Sequence, residues 1–143
     1  MDGHSSQTVK VTHKYPHKAG RVFDAWLDAK NAGQWLFATP TGTIVRSEID
    51  AKVGGKFIMV DRRDGQDIEH IGEYLEIDRP RRLKFTFKVP KYSAQGTDVT
   101  LDFADIGDGS EVTLTHEGVD APHAEQAAQG WGMILAGLGK TLG

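Results

Sequence analysis

The chain has 143 residues, no cysteine, a formal net charge of −3 and a pI near 6.0. At 38% hydrophobic and 26% charged it has the makeup of one ordinary globular domain with a sizeable core. Lack of cysteine excludes a disulfide framework, thiol catalysis and cysteine-ligated zinc. No basic block points to nucleic acid, and no apolar run reaches the ~18–20 residues of a membrane span.

Met1–Gln7 is polar, without the apolar core of a signal peptide, and reads as a flexible tail before a single domain over residues 8–143. With no signal peptide and no cysteine, the expected location is the cytoplasm. Thr8–Tyr15 alternates, with Val9, Val11, His13 and Tyr15 on one face, so it predicts a half-buried strand that Pro16 ends. A short helix is predicted over His17–Ala29, with Ala19, Val22, Phe23, Trp26 and Leu27 on one stripe. Asn31-Ala32-Gly33 breaks it, and Gln34-Trp35-Leu36-Phe37 resumes as a helical turn. Thr39-Pro40-Thr41-Gly42 reads as a loop.

A meander of strands follows. Ile44–Asp50 is the first. Gly54-Gly55 turns or bulges into Lys56–Arg62, and Asp64-Gly65 is a hairpin signal leading to Ile68–Ile77. Asp78-Arg79-Pro80 turns into Arg82–Val89, and Pro90–Gly96 is a loop. Thr97–Phe103, the turn Gly107-Asp108-Gly109 and Glu111–Glu117 complete the run. The last segment, Ala121–Leu142, repeats apolar residues at Ala124, Ala127/Ala128, Trp131, Ile134/Leu135, Leu138 and Leu142, the spacing of one helical face. Four glycines interrupt it, at 130, 132, 137 and 139, each costing about 1 kcal/mol relative to alanine, so close packing or a need for room beside the helix is expected to compensate. Strands joined by tight turns imply an antiparallel sheet, and one layer of helix on it gives an α+β architecture.

Three tryptophans, 26, 35 and 131, are core packing or the aromatic wall of a ligand pocket. Phe57, Met59, Phe85, Phe87, Leu101 and Phe103 are expected on the concave face of the sheet. His70 and His116 are the polar residues expected to project inward, His70 beside a bulge at Gly72. They are either satisfied buried histidines or an acid–base pair. No third ligand has metal-like spacing, so neither a metal nor another cofactor is expected. Glu69, Glu73 and Glu76 read as solvated, and strand alternation keeps Glu73 and Glu76 from both facing inward. Arg62-Arg63 and Arg79–Arg82 read as solvated strand ends rather than phosphate sites. There is no Gly-x-Ser-x-Gly elbow, and Gly54-Gly55 opens a strand rather than a nucleotide-binding helix.

The order β-α-α-β6-α, about six to seven strands in all, resembles the helix-grip fold of the START-like (SRPBCC) superfamily, which includes the birch pollen allergen. Local motifs are similar to the activator of heat-shock protein 90 ATPase homologue family. The matching residues are Arg21–Trp26, Trp35, Val53–Phe57, Gly72–Pro80, Arg82–Phe85, Thr113–Gly118 and Gly130-Trp131 with Leu135 and Leu138. The resemblance implies a curved sheet wrapped around the long helix, with a hydrophobic ligand between them. The implied lining is Trp35, Phe57, Met59, His70, Phe85, Phe87, Leu101, His116, Trp131 and Leu135. The expected function is non-enzymatic binding of a small hydrophobic molecule such as a lipid, in a stress-related setting. One alternative is a cyclase, dehydratase or hydrolase using His70 and His116. The other is an interaction module, a homodimer or a co-chaperone that stimulates the chaperone ATPase. In the eukaryotic co-chaperone this domain is only the C-terminal half, and the present chain has no room for the other half.

Overall fold

The computed structural model describes residues 6–36, 42–90 and 96–142. Seven strands form one antiparallel sheet: β1 (Ser6–Tyr15), β2 (Thr43–Ile49), β3 (Lys56–Arg63), β4 (Gln66–Asp78), β5 (Arg82–Phe87), β6 (Thr97–Ile106) and β7 (Gly109–Asp120). Two short helices, α1 (Ala19–Leu27) and α2 (Ala29–Ala32), separate β1 from β2, and α3 (Ala124–Leu142) closes the chain. The spatial order is β1-β7-β6-β5-β4-β3-β2. The first strand therefore joins the last, and β2 to β7 run as a meander. This is the expected α+β helix-grip architecture.

The β3–β4 hairpin has a local cause. Asp64 and Gly65 both take positive φ, 51° and 76°, the primed turn that suits the right-handed twist of the flanking strands. Inward positions alternate along the strands except where a bulge intervenes. Phe57 and Met59 of β3, Tyr74 of β4, Leu83 and Phe85 of β5, Val99, Leu101 and Phe103 of β6, and Val112 and Leu114 of β7 are all buried. They enclose Trp131, Leu135 and Leu138 from α3 and Val22, Phe23 and Trp26 from α1 in one core. Trp26 is core, edge-on to Trp35 at 4.8 Å between ring centroids. Tyr15 fastens β1 to the helix, its hydroxyl donating to the Leu135 carbonyl at 2.7 Å.

Several boundaries depart from the sequence reading. Ser6 and Gln7 belong to β1, since strand pairing with β7 extends past the hydrophobic pattern; Met1–Ser5 lie outside the described residues. The first helix starts at Ala19, not His17, where Asp105 accepts the Ala19 N–H at 2.8 Å. It ends at Asp28, whose extended backbone separates it from α2. Asn31 and Ala32 are thus inside a helix, and Gly33–Leu36 are turns. Phe37 and Thr39-Pro40-Thr41 of the first loop, and residues 91–95 of the second, lie outside the described residues. The strand from Arg82 ends at Phe87, with Lys88 held by one isolated bridge to Ile71. The last two strands run longer, to Ile106 and Asp120, and α3 begins after a 3-10 turn, Ala121–His123.

The bulge expected at Gly72 sits instead at Leu75, between Tyr74 and Glu76. Gly72 is required for another reason: a Cβ there would stand 1.9 Å from the Thr86 carbonyl oxygen and 2.4 Å from the Phe57 ring. The Leu75 bulge also resets strand parity. Glu73 pairs across from Lys56, and Glu76 from Lys84, so both carboxylates face outward although three residues apart. The four helix glycines divide. A Cβ at Gly137 would lie 3.7 Å from the Trp35 Cβ and one at Gly139 3.5 Å from the Tyr15 ring, both ordinary contacts, while Gly130 and Gly132 face open space. Close packing therefore requires glycine at none of the four.

Candidate groove at the mouth of the helix grip

The concave face changes character toward the first turn of α3. Leu101, Phe85 and Leu135 fill the centre, with Phe57 and Met59 toward β3, and Trp35 caps the core from the turn after α2. Toward the ends of β5, β6 and β7 the rings become polar and aromatic. Phe87 stands at the centre of this group. His70 lies 6.1 Å away on one side, near-parallel to it, and His116 5.8 Å away on the other. Trp131 meets both Phe87 and His116 edge-on, at 5.5 and 5.7 Å.

His116 is held by a hydrogen-bond chain whose direction can be worked out. An indole N–H only donates, so the Trp131 Nε1–H at 2.9 Å makes His116 Nδ1 an acceptor. The ring proton then sits on Nε2 and donates to Thr97 Oγ1 at 2.7 Å, and the Thr97 hydroxyl donates to the Phe87 carbonyl at 3.1 Å. Every polar atom of the chain is used. Burial pushes the His116 imidazole down to about 4, and a second ring proton would in addition point Nδ1–H at the indole N–H. His116 is thus neutral at physiological pH and committed to structure.

His70 is different. Its Nδ1 is 3.3 Å from the Met59 carbonyl oxygen, and burial holds its pKa below the usual histidine range, with the Arg63 charge acting the same way. The Met59 and Ile68 carbonyls and Asp61 act in the opposite direction. Asp61 is fully buried and paired through Oδ2 with Arg63 Nε at 2.7 Å. Arg63 is thus partly buried rather than a solvated strand end, and the burial of Asp61 has one signal in the sequence. The signal was parity: Phe57, Met59 and Asp61 share one face of a strand. Arg62, Arg79 and Arg82 form exposed ion pairs, with Asp67, Asp24 and Asp102 in turn.

Beside this cluster opens a groove of about 250 Å3. Its walls are Phe87 at the end of β5 and Val89 beyond it, Thr97 on β6, and His116, Gly118 and Val119 on β7. Ala127 on α3 closes it, and Lys88, Asp120 and His123 stand at the rim. Gly118 adopts φ +80° in a bulge of β7 that opposes the Gln7–Val9 segment of β1, which bends the strand end beside the groove. Of the ten side chains expected to line a cavity, Phe87 and His116 border this groove. The others pack in the core, with Trp131 and His70 in ring contact with Phe87. Among the described residues no group of three His, Asp or Glu side chains is placed to hold a metal ion. No described helix is long and apolar enough to cross a membrane.

Fold and groove define a helix-grip domain. The chain belongs to the family described as Activator of Hsp90 ATPase homolog 1-like protein, whose sequence model matches residues 16–143. No curated protein matches it. Among solved structures, a protein from Chromobacterium violaceum is similar at 24% identity, covering 93% of this chain and 94% of its own, with a TM-score of 0.85. A protein of unknown function from Staphylococcus aureus is 16% identical, with 97% and 94% coverage and a TM-score of 0.84. CalU16 from Micromonospora echinospora is 20% identical, with 98% and 86% coverage and a TM-score of 0.70. At such identities the likeness is one of fold.

Proposed function

We propose that the protein binds a small, mostly apolar molecule in the groove between the start of α3 and the ends of β5–β7, without transforming it. The observation that carries this reading is the groove itself, an apolar floor of Phe87, Val89, Val119 and Ala127 backed by the Phe87–His116–Trp131 rings. At about 250 Å3 it lies just below the ~300–1,000 Å3 of sites for drug-sized ligands, so it suits a single ring or a short acyl chain. Phe87 and His116 are the contacts of the proposed site. Trp131 fixes the His116 ring from behind, His70 stacks on Phe87 from the other side, and the Met59 carbonyl holds His70. Trp35, Phe57, Phe85, Leu101 and Leu135 are assigned to the scaffold.

The hydrogen-bond chain argues against acid–base chemistry. His116 has no ring nitrogen left for a substrate and is neutral. The Phe87 ring stands between it and His70. The reading is tested by native mass spectrometry of gently purified protein, followed by denaturing extraction, on the wild type and on Ala127→Trp, which fills the groove. A co-purifying molecule of defined mass that the variant lacks supports it. A molecule retained equally by the folded variant places the ligand elsewhere and sinks it.

A further inference from the structure

The outer face of the sheet holds a second pocket, unrelated to the groove. A sheet with one solvated face alternates apolar inside and polar outside. The outward positions of β5, β6 and β7 obey this: Arg82, Lys84 and Thr86; Asp98, Thr100 and Asp102; Glu111, Thr113, Thr115 and Glu117. On β3 and β4 the rule fails. Ile58, Val60 and Ile71 face outward, with Ile58 directly opposite Ile71 in the ladder. Local rules broken without a folding reason mark sites of function.

Around the Ile58–Ile71 pair lies a pocket of about 410 Å3, bordered by Lys56, Glu73, Thr86 and Lys88 and floored by the backbone at Phe57 and Gly72. The volume falls in the range of small-molecule sites. None of Lys56, Lys88 and Glu73 has an ion-pair partner among the described residues. Thr86 Oγ1 accepts the Glu73 N–H at 2.9 Å, and its own proton has no acceptor among the described residues. The rim therefore offers two unpaired ammonium groups and one hydroxyl donor against a single carboxylate, a balance of one positive charge. Gly72 lets β4 and β5 approach closely beneath the pocket.

We propose that this outer pocket binds a small monoanion with a flat apolar body, of the arylcarboxylate class. The body lies on Ile58 and Ile71, the carboxylate between Lys56, Lys88 and the Thr86 hydroxyl. Glu73 disfavours a second negative charge. The assignment does not depend on the groove reading, because only Lys88 borders both sites and Lys56 borders the outer one alone.

The test titrates 2-naphthoate, and its neutral analogue 2-naphthamide, into 15N-labelled protein and follows backbone amide shifts. Naphthoate is expected to move Ile58, Ile71, Gly72 and Glu73, with the amide binding at least tenfold more weakly. Lys56→Gln is expected to weaken naphthoate binding severalfold, and Ile71→Thr to do so with a folded spectrum. Equal affinity for acid and amide, no effect of Lys56→Gln, or shifts confined to Val119, His123 and Ala127 would each overturn the proposal. The last outcome would instead support the groove as a binding site.

Discussion

His116 makes the stability of this protein depend on pH in a way that can be worked out from its contacts. Its imidazole is 6% exposed and its pKa lies at about 4, against ~6.5 for a free histidine. The unfolded chain therefore takes up the proton first as pH falls. The contribution is fully present above about pH 6.5, is lost as pH falls from there to about 4, and changes no further below. The full swing between the free and the folded value is about 3 kcal/mol, of which about 2 kcal/mol is already lost at pH 5. His70, also depressed, and the carboxylates add their own pH dependence, so the comparison must be a difference. His116→Gln retains an acceptor for Trp131 and a donor for Thr97 but cannot ionise. Urea unfolding of wild type and variant near pH 7.5 and pH 5 should show the wild type losing about 2 kcal/mol more than the variant over that window. Equal losses would refute both the neutral assignment and the direction of the hydrogen-bond chain.

Gly72→Ala should destabilise by about 3 kcal/mol or more, since its methyl meets the Thr86 carbonyl oxygen rather than a movable side chain; thermal unfolding checks it. Gly130→Ala and Gly132→Ala, by contrast, meet nothing within 4 Å and should each raise stability by about 0.5–1 kcal/mol in a denaturant titration. Tyr15→Phe removes the hydroxyl that bonds the Leu135 carbonyl and should cost about 1 kcal/mol, with faster amide exchange in the last turns of α3. Removing salt should strengthen the exposed Arg79–Asp24 pair only slightly, so wild type and Asp24→Asn should differ little more in unfolding midpoint at low than at high ionic strength.

The order of elements and the inward face of most strands are legible in the chain alone. Those depend on local rules: period-2 and period-3.6 repetition of apolar residues, and turn pairs such as Asp64-Gly65 that need positive φ. Parity alone was enough to place Phe57, Met59, Phe85, Leu101 and His116 on the concave face, and would have placed Asp61 there as well. Where parity resets is settled in three dimensions, because a bulge at Leu75 depends on the match between two strands and leaves no local mark. So is which end of the concave face stays open, since that turns on where α3 crosses the sheet and where β7 bends at Gly118. The roles of the two histidines depended on partners far along the chain. Trp131 and Thr97 hold His116, and the Met59 carbonyl, Asp61 and Arg63 surround His70, at distances that sequence spacing does not fix. The helix glycines show the same division: their cost was readable from composition, but only the packing separates Gly137 and Gly139, which face Trp35 and Tyr15, from Gly130 and Gly132, which face open space.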